Sequence, residues 1–287
     1  MTTLAIGDGA NDVNMITAAH VGIGIKGVEG QQAARASDYS IGEFKILRRL
    51  TLFYGRESYR KNSYLICYNF FKNMVLVLPQ FWFGFYDGFS GQSTYNPFLF
   101  QLYNIIYASL PIVIYAVLDK EEKGSYFLKN PHAYFQGPNN KLFNVKIFWL
   151  WIFFGVWQSA FLLFFSLYAL GDNFIDSPRG YTLNFWGVGM AIYGFLIILT
   201  NVKVLIMSSR HSLLSLIIIF GSISLYVITY AITSEKITSF DDYGTFERLF
   251  SSGNFYFILI MLIVITSLFD MAFERYHSSL IYKKYFL

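Results

Sequence analysis

The chain has 287 residues, 55% of them hydrophobic and 20% aromatic, with only 14% charged. Soluble domains carry about 25% charged residues, so this composition excludes an ordinary soluble globular protein and indicates one built into a membrane. A single cysteine, Cys67, excludes an internal disulfide, four scattered histidines offer no metal-ligand spacing, and the formal charge of +4 is distributed in a way that does not call for a nucleic acid partner.

Residues 1–46 alternate between strand and helix patterns, with strands expected at 3–6 and 21–25, a final strand or turn at 39–41, and helices at 11–19 and 29–36. Strands alternating with short helices predict a parallel α/β sheet. Some 45 residues are too few to enclose a core, so the sheet is expected to be the end of a larger domain. The first residues lack a charged segment followed by an apolar core, and a cleavable signal peptide is not expected at Met1.

Residues 47–62 follow as a basic helix with Arg48, Arg49, Arg56, Arg60 and Lys61, expected to be a solvated stalk. Six apolar runs come next, at about 63–86, 98–118, 147–170, 184–206, 213–233 and 255–273, and a tail occupies 274–287. A helix rising about 1.5 Å per residue crosses about 30 Å of hydrocarbon in about 20 residues, so six transmembrane helices are expected. The four segments on one side (1–61, 119–146, 203–210 and the tail) hold 18 Lys and Arg, against three in the loops on the other side. Those three loops also carry seven acids, so the positive balance is a topology signal that places both ends in the cytosol. Trp82, Trp149, Trp151 and Trp186 lie near run ends, where interfacial belts form.

Two places could carry chemistry. Asp8 sits between Gly7 and Gly9 directly after the first strand. The carboxyl end of a parallel strand is where open α/β sheets place ligands, and a carboxylate is a hard oxygen ligand suited to magnesium. Asn11 and Asp12 open the next helix, whose exposed N–H groups favour phosphate. A plain capped turn explains the same residues, and spacing alone does not separate the two readings.

The second place is Lys72, nine residues into the first run and so about 14 Å along its helix, too deep for easy escape to the interface. Asn69, Lys72, Asn73 and Gln80 fall on or near one helix face, a polar stripe that could contact a phospholipid headgroup; a snorkelling lysine or an ion pair with a neighbouring helix is the alternative. In the second run Gln101, Asn104, Ala108 and Pro111 are expected to share a face, with Asn104 bonded to a neighbouring helix or to the headgroup. Pro79 and Pro111 free carbonyls at membrane depth. The first two runs contain no Asp or Glu, which argues against cation coordination there. Asp270, with Glu274 and Arg275, is expected in an interfacial cluster.

Gly7-Asp8-Gly9-Ala10-Asn11-Asp12 resembles the hinge motif of P-type ATPases, in their phosphorylation domain of the haloacid dehalogenase type. The stretch Gly22-Ile-Gly-Ile-Lys-Gly27 through Asp38 is similar to the same family, and Val28-Glu-Gly-Gln-Gln-Ala-Ala34 resembles its phospholipid-translocating branch. Phe70-Phe-Lys-Asn73, Pro79-Gln-Phe-Trp-Phe83, Phe89-Ser-Gly-Gln92, Leu102-Tyr-Asn104 and Ser109-Leu-Pro111 extend the likeness. The resemblance implies an α/β remnant, the end of a haloacid-dehalogenase-like phosphorylation domain, followed by an all-α bundle of six transmembrane helices. It implies Asp8 as the Mg2+ ligand with Asp12 as second candidate, Asn11 and Asp12 as holders of the phosphoryl site, and Lys72, Asn73 and Asn104 as headgroup contacts.

The activity so implied is an ATP-driven flippase that moves aminophospholipid-type lipids to the cytosolic leaflet through an aspartyl-phosphate, together with a glycosylated two-span accessory subunit. A Golgi, endosomal or plasma membrane setting fits, and run lengths do not sort them. The Asp-Lys-Thr-Gly-Thr phosphorylation motif is not in the chain, which is therefore expected to be the C-terminal part of a longer protein and inactive by itself. A cation-transporting relative and a non-enzymatic six-helix scaffold are the alternatives.

Overall fold

The computed structural model describes residues 2–27, 31–171, 183–236 and 242–283. The chain divides into two compact units, Met1–Arg60 with Glu122–Asn140, and Lys61–Glu121 with Lys141–Leu287.

The first unit contains strands β1 (Leu4–Gly7), β2 (Val21–Ile25) and β3 (Tyr39–Ile41), with helices α1 (Val13–Ala18) and α2 (Gln32–Ala36) between them. The strands are parallel in the order β1-β2-β3, with Leu4 opposite Val21 and Ile23 opposite Tyr39. The first two strands agree with expectation, and the segment expected as a strand or turn is the third strand. The first expected helix is divided, because a 3-10 turn at Ala10–Asp12 precedes α1. The second is described from Gln32 onward, and the first residues expected in it, 29 and 30, lie outside the described residues. Ile16, Ile23, Ala33 and Ile41 are buried and form the small core.

A helical segment follows, with α3 (Leu47–Arg49) running into a π-helical stretch at Leu50–Gly55 and then into α4 (Arg56–Asp87). Its basic character predicts a solvated stalk, but Arg56 and Glu57 are only 4% and 6% exposed. The cause is the segment 122–140, which folds as α7 (Gly124–Lys129) and a 3-10 helix at Pro131–Gln136. Phe127 stacks on Phe53 at 6.1 Å and carries the Arg56 guanidinium 4.2 Å above its ring. Arg56 also donates to the Ala133 carbonyl and the Gln136 Oε1, both at 3.2 Å, and Arg48 donates to the Leu128 carbonyl. A planar cation satisfied on its rim and stacked on its face is well suited to burial.

The second unit is helical. Among the described residues five stretches are long and apolar enough to cross a membrane: Pro97–Leu118, Val145–Leu170, Phe185–Met207, Leu213–Lys236 and Gly253–Arg275. They correspond to α5 (Pro97–Leu102) with α6 (Ser109–Leu118), and to α8 (Val145–Leu170), α9 (Phe185–Met207), α10 (Leu213–Lys236) and most of α12 (Gly253–Lys283); α11 (Thr245–Ser251) is a short connector. The first expected run lies within α4, 32 residues long, where Asn69, Lys72, Asn73 and Gln80 interrupt the apolar sequence.

Helix α9 lies at the centre, with 72% of its most apolar window buried against 33% or less for the other four. Small residues let backbones approach closely in such bundles. Gly189 is the tightest instance, since a Cβ there would stand 2.0 Å from the Thr94 carbonyl oxygen.

Many of the aromatic residues lie inside the bundle: Tyr68, Tyr103, Tyr107, Tyr193 and Tyr230 are completely buried. An unbonded hydroxyl is costly away from water, and these hydroxyls find backbone or hydroxyl partners. Tyr68 donates to the Thr200 carbonyl at 3.3 Å, and Tyr193 to the Leu99 carbonyl at 2.7 Å. Trp151 departs from the expected belt, being 6% exposed and edge-on to Tyr64 and Phe71.

Candidate functional site

In the first unit, Asp8 is exposed at the carboxyl end of β1. Asp12 turns back over the loop, where one carboxylate oxygen accepts from the Asp8 N–H at 3.1 Å and from the Gly9 N–H at 3.3 Å. Only glycine suits position 7, because a Cβ there would lie 2.2 Å from the Asp12 Cβ. Gly7 therefore lets Asp12 close the turn, and Asp12 in turn holds the backbone beneath Asp8.

The Asp8 carboxylate makes no hydrogen bond among the described residues, and Asn11 is exposed beside it. No group of three His, Cys, Asp or Glu gathers there or elsewhere among the described residues. Magnesium usually keeps several waters and takes only one or two carboxylates together with phosphate oxygens. One open carboxylate, with a second already engaged by the loop, fits that donor set better than it fits a closed protein cage.

In the second unit the candidates Lys72, Asn73 and Asn104 separate. Lys72 is 5% exposed, and its ammonium donates to the Ser109 hydroxyl at 3.3 Å. Ser109 passes its own proton to the Asn104 carbonyl, and the Tyr103 hydroxyl donates to the Lys72 carbonyl at 3.2 Å. Among the described residues no carboxylate pairs with Lys72. Asn73 and Asn104 are exposed, and their side chains carry no hydrogen bond among the described residues.

Two expected groupings are corrected. The Gln80 Oε1 accepts from the Thr94 N–H at 3.0 Å and the Thr94 hydroxyl at 2.9 Å, and its amide donates to the Gln92 carbonyl. Gln80 thus anchors the turn after α4 and leaves the polar stripe. The face assigned to Gln101, Asn104, Ala108 and Pro111 is broken, since the first two are exposed and the last two buried. The reason is a π-helical stretch at Tyr103–Tyr107, which widens the turn and shifts the helical phase between Asn104 and Ala108. It also leaves the Tyr107 carbonyl available to Asn201 Nδ2 at 3.1 Å and Ser222 Oγ at 2.5 Å.

Sequence reasoning missed a third group. Asp270 accepts from Lys203 Nζ at 2.8 Å and from Gln158 Nε2 at 2.9 Å, with all three residues at least 95% buried. Asp270 belongs to a buried pair rather than to the interfacial cluster expected with Glu274 and Arg275. A signal was present: Lys203 and Asp270 carry opposite charges and each lies three residues from the end of its apolar run.

Residues 34–283 match the family model described as phospholipid-translocating P-type ATPase C-terminal. The chain is 34% identical over 277 residues to the phospholipid-transporting ATPase DRS2 of Saccharomyces cerevisiae, covering 95% of this chain and 20% of that protein. It is 35% identical over 285 residues to the phospholipid-transporting ATPase C887.12 of Schizosaccharomyces pombe, covering 97% and 22% respectively. With the human phospholipid-transporting ATPase ID it shares 37% identity over 236 residues, 82% of this chain and 19% of the relative. The chain thus spans about a fifth of the length of these relatives. A match over most of its residues, extending across the Lys72 helix, the π-helical stretch and the buried Lys203–Asp270 pair, means that the chain belongs to the phospholipid-translocating P-type ATPases.

Proposed function

We propose that this chain is the C-terminal part of an ATP-driven flippase that moves aminophospholipid-type lipids from the exoplasmic to the cytosolic leaflet. The observation that carries this reading is Lys72, a buried ammonium whose hydrogen-bond partner is a neutral hydroxyl and which has no carboxylate among the described residues. A cation held at membrane depth without an anion is completed by one from a ligand, and a phospholipid headgroup supplies it. Asn73 and Asn104 would add neutral donors and acceptors that suit the remainder of a headgroup.

In the first unit, the three-stranded parallel sheet is read as the end of a haloacid-dehalogenase-like phosphorylation domain. Asp8 would hold Mg2+, with Asp12 as second candidate, and the ion would neutralise charge on the phosphoryl group. Asn11 and Asp12 would keep the phosphoryl site in place, Asp12 through its grip on the Asp8 and Gly9 amides. Helix α4 then counts as a sixth span, and both ends of the chain face the cytosol in a Golgi, endosomal or plasma membrane. ATP is the substrate of the complete protein, and a glycosylated two-span subunit its partner.

The test is Lys72→Ala in the complete protein, read as transport of labelled lipids with different headgroups. Loss or change of headgroup preference is expected. Unaltered preference at normal expression removes Lys72 from the headgroup site.

A further inference from the structure

The buried Lys203 does more than neutralise Asp270. Its ammonium lies 4.0 Å from the centroid of the Phe71 ring, and Phe71 is completely buried and directly precedes Lys72. One turn earlier on α4, the Tyr68 hydroxyl bonds the Thr200 carbonyl of α9. Two successive contacts therefore join α4 to the same short stretch of α9. The neighbouring Asn201 amide grips the Tyr107 carbonyl at the end of the π-helical stretch that presents Asn104. Residues 200–203 of α9 thus hold both elements that carry the candidate headgroup residues, from the side away from exposed Asn73 and Asn104.

Successive residues of a helix differ by about 100° in direction, so the angle at which Lys72 leaves α4 is set by the angle at which Phe71 is held. An aliphatic side chain under Phe71 would pack but would tolerate rotation. A desolvated ammonium over the ring face attracts only in that orientation, and Asp270 of α12, itself held by the Gln158 amide of α8, fixes its position.

We infer that Lys203, held by Asp270 and resting on Phe71, is a positioning residue that sets the rotation of α4 and so aims Lys72 at the lipid headgroup. This rests on the reading of Lys72 as a headgroup contact.

The experiment measures ATP hydrolysis of the complete protein in detergent micelles carrying phosphatidylserine and phosphatidylethanolamine, and extracts kcat and the apparent KM for lipid. The double variant Lys203→Met/Asp270→Leu removes the ammonium while leaving no unpaired charge. The expected result is an apparent KM raised about fivefold with kcat within about twofold of the parent, and no further rise when the same pair is introduced into Lys72→Ala. An unchanged KM overturns the inference, as does an equal additional rise in the Lys72→Ala background, which would mark a purely structural effect. If Lys72→Ala itself leaves the KM unchanged, the headgroup reading fails and the inference falls with it. Should the double variant not fold, Phe71→Leu keeps the ion pair and removes the ring, and the same outcomes decide.

Discussion

The Lys72 ammonium reaches the Ser109 hydroxyl at 3.3 Å, while Lys203, on a neighbouring helix, is closed on Asp270 at 2.8 Å. Two lysines are buried in one helical unit, and the protein supplies a counter-charge for only one of them among the described residues. Burial opposes both charges; Lys203 is offset by a carboxylate, whereas Lys72 is met by a neutral hydroxyl, and the proposed headgroup role of Lys72 rests on that difference.

Ser109→Ala removes the hydroxyl that orients the Lys72 ammonium. A hydrogen bond to a charged group contributes about 1.5–3 kcal/mol, so lipid-stimulated ATP hydrolysis by the complete protein should need roughly tenfold more phospholipid for half-stimulation. A lipid titration measures this, and Ser109→Thr, which keeps a hydroxyl, should recover most of the loss.

Asp270→Ala leaves the Lys203 ammonium buried without its carboxylate. Breaking such a pair costs about 3–5 kcal/mol, whereas replacing both partners by apolar side chains is often neutral. Thermal unfolding in detergent should therefore fall markedly for Asp270→Ala and stay near the parent for Lys203→Met/Asp270→Leu.

Asp8 and Asp12 should behave differently although both are acidic. Asp8→Asn should raise the Mg2+ concentration needed for ATP-dependent phosphorylation of the complete protein by about tenfold or more, with little change in stability. Asp12→Ala should lose about 1 kcal/mol of local stability through its two backbone bonds, and Gly7→Ala should act in the same direction because the new methyl meets Asp12. Magnesium titration of phosphorylation, alongside hydrogen exchange of residues 7–12, separates the two effects.

Arg56→Lys should loosen the segment 122–140. A lysine cannot reproduce stacking on Phe127 together with bonds to both Ala133 and Gln136. Limited proteolysis should cut that segment several-fold faster than in the parent, with Arg56→Ala at least as susceptible.

The proposed orientation can be read by labelling the complete protein after replacing the cysteines outside this chain; within the chain Cys67 is the single cysteine and is buried. Lys129→Cys should react with an impermeant maleimide only after membranes are opened from the cytosolic side, and Lys236→Cys should react in intact cells when the protein is at the cell surface.

Much of this protein is written locally. The alternation of strand and helix patterns gave β1 and β2 to within a residue and left β3 as a strand or turn, and lengths of unbroken apolar sequence marked the five stretches from Pro97–Leu118 to Gly253–Arg275. The Asp8 turn and the lone Lys72 within an apolar run were visible in the same way, since period, run length and position within a run are properties of neighbouring residues.

What the tertiary structure decided is partnership. Lys203 and Asp270 are 67 positions apart, Gln158 and Asp270 112, and Arg56 and Gln136 80, so no local pattern joins them. Composition places a charge in a helix, but only packing says whether that charge meets an opposite one, a ring or a hydroxyl. The π-helical stretch at Tyr103–Tyr107 adds a second reason, because one widened turn rotates everything after it and removes Ala108 from the face of Asn104. Chain order gave the candidates, and the helices around α9 determined that Lys203 is paired and Lys72 is open.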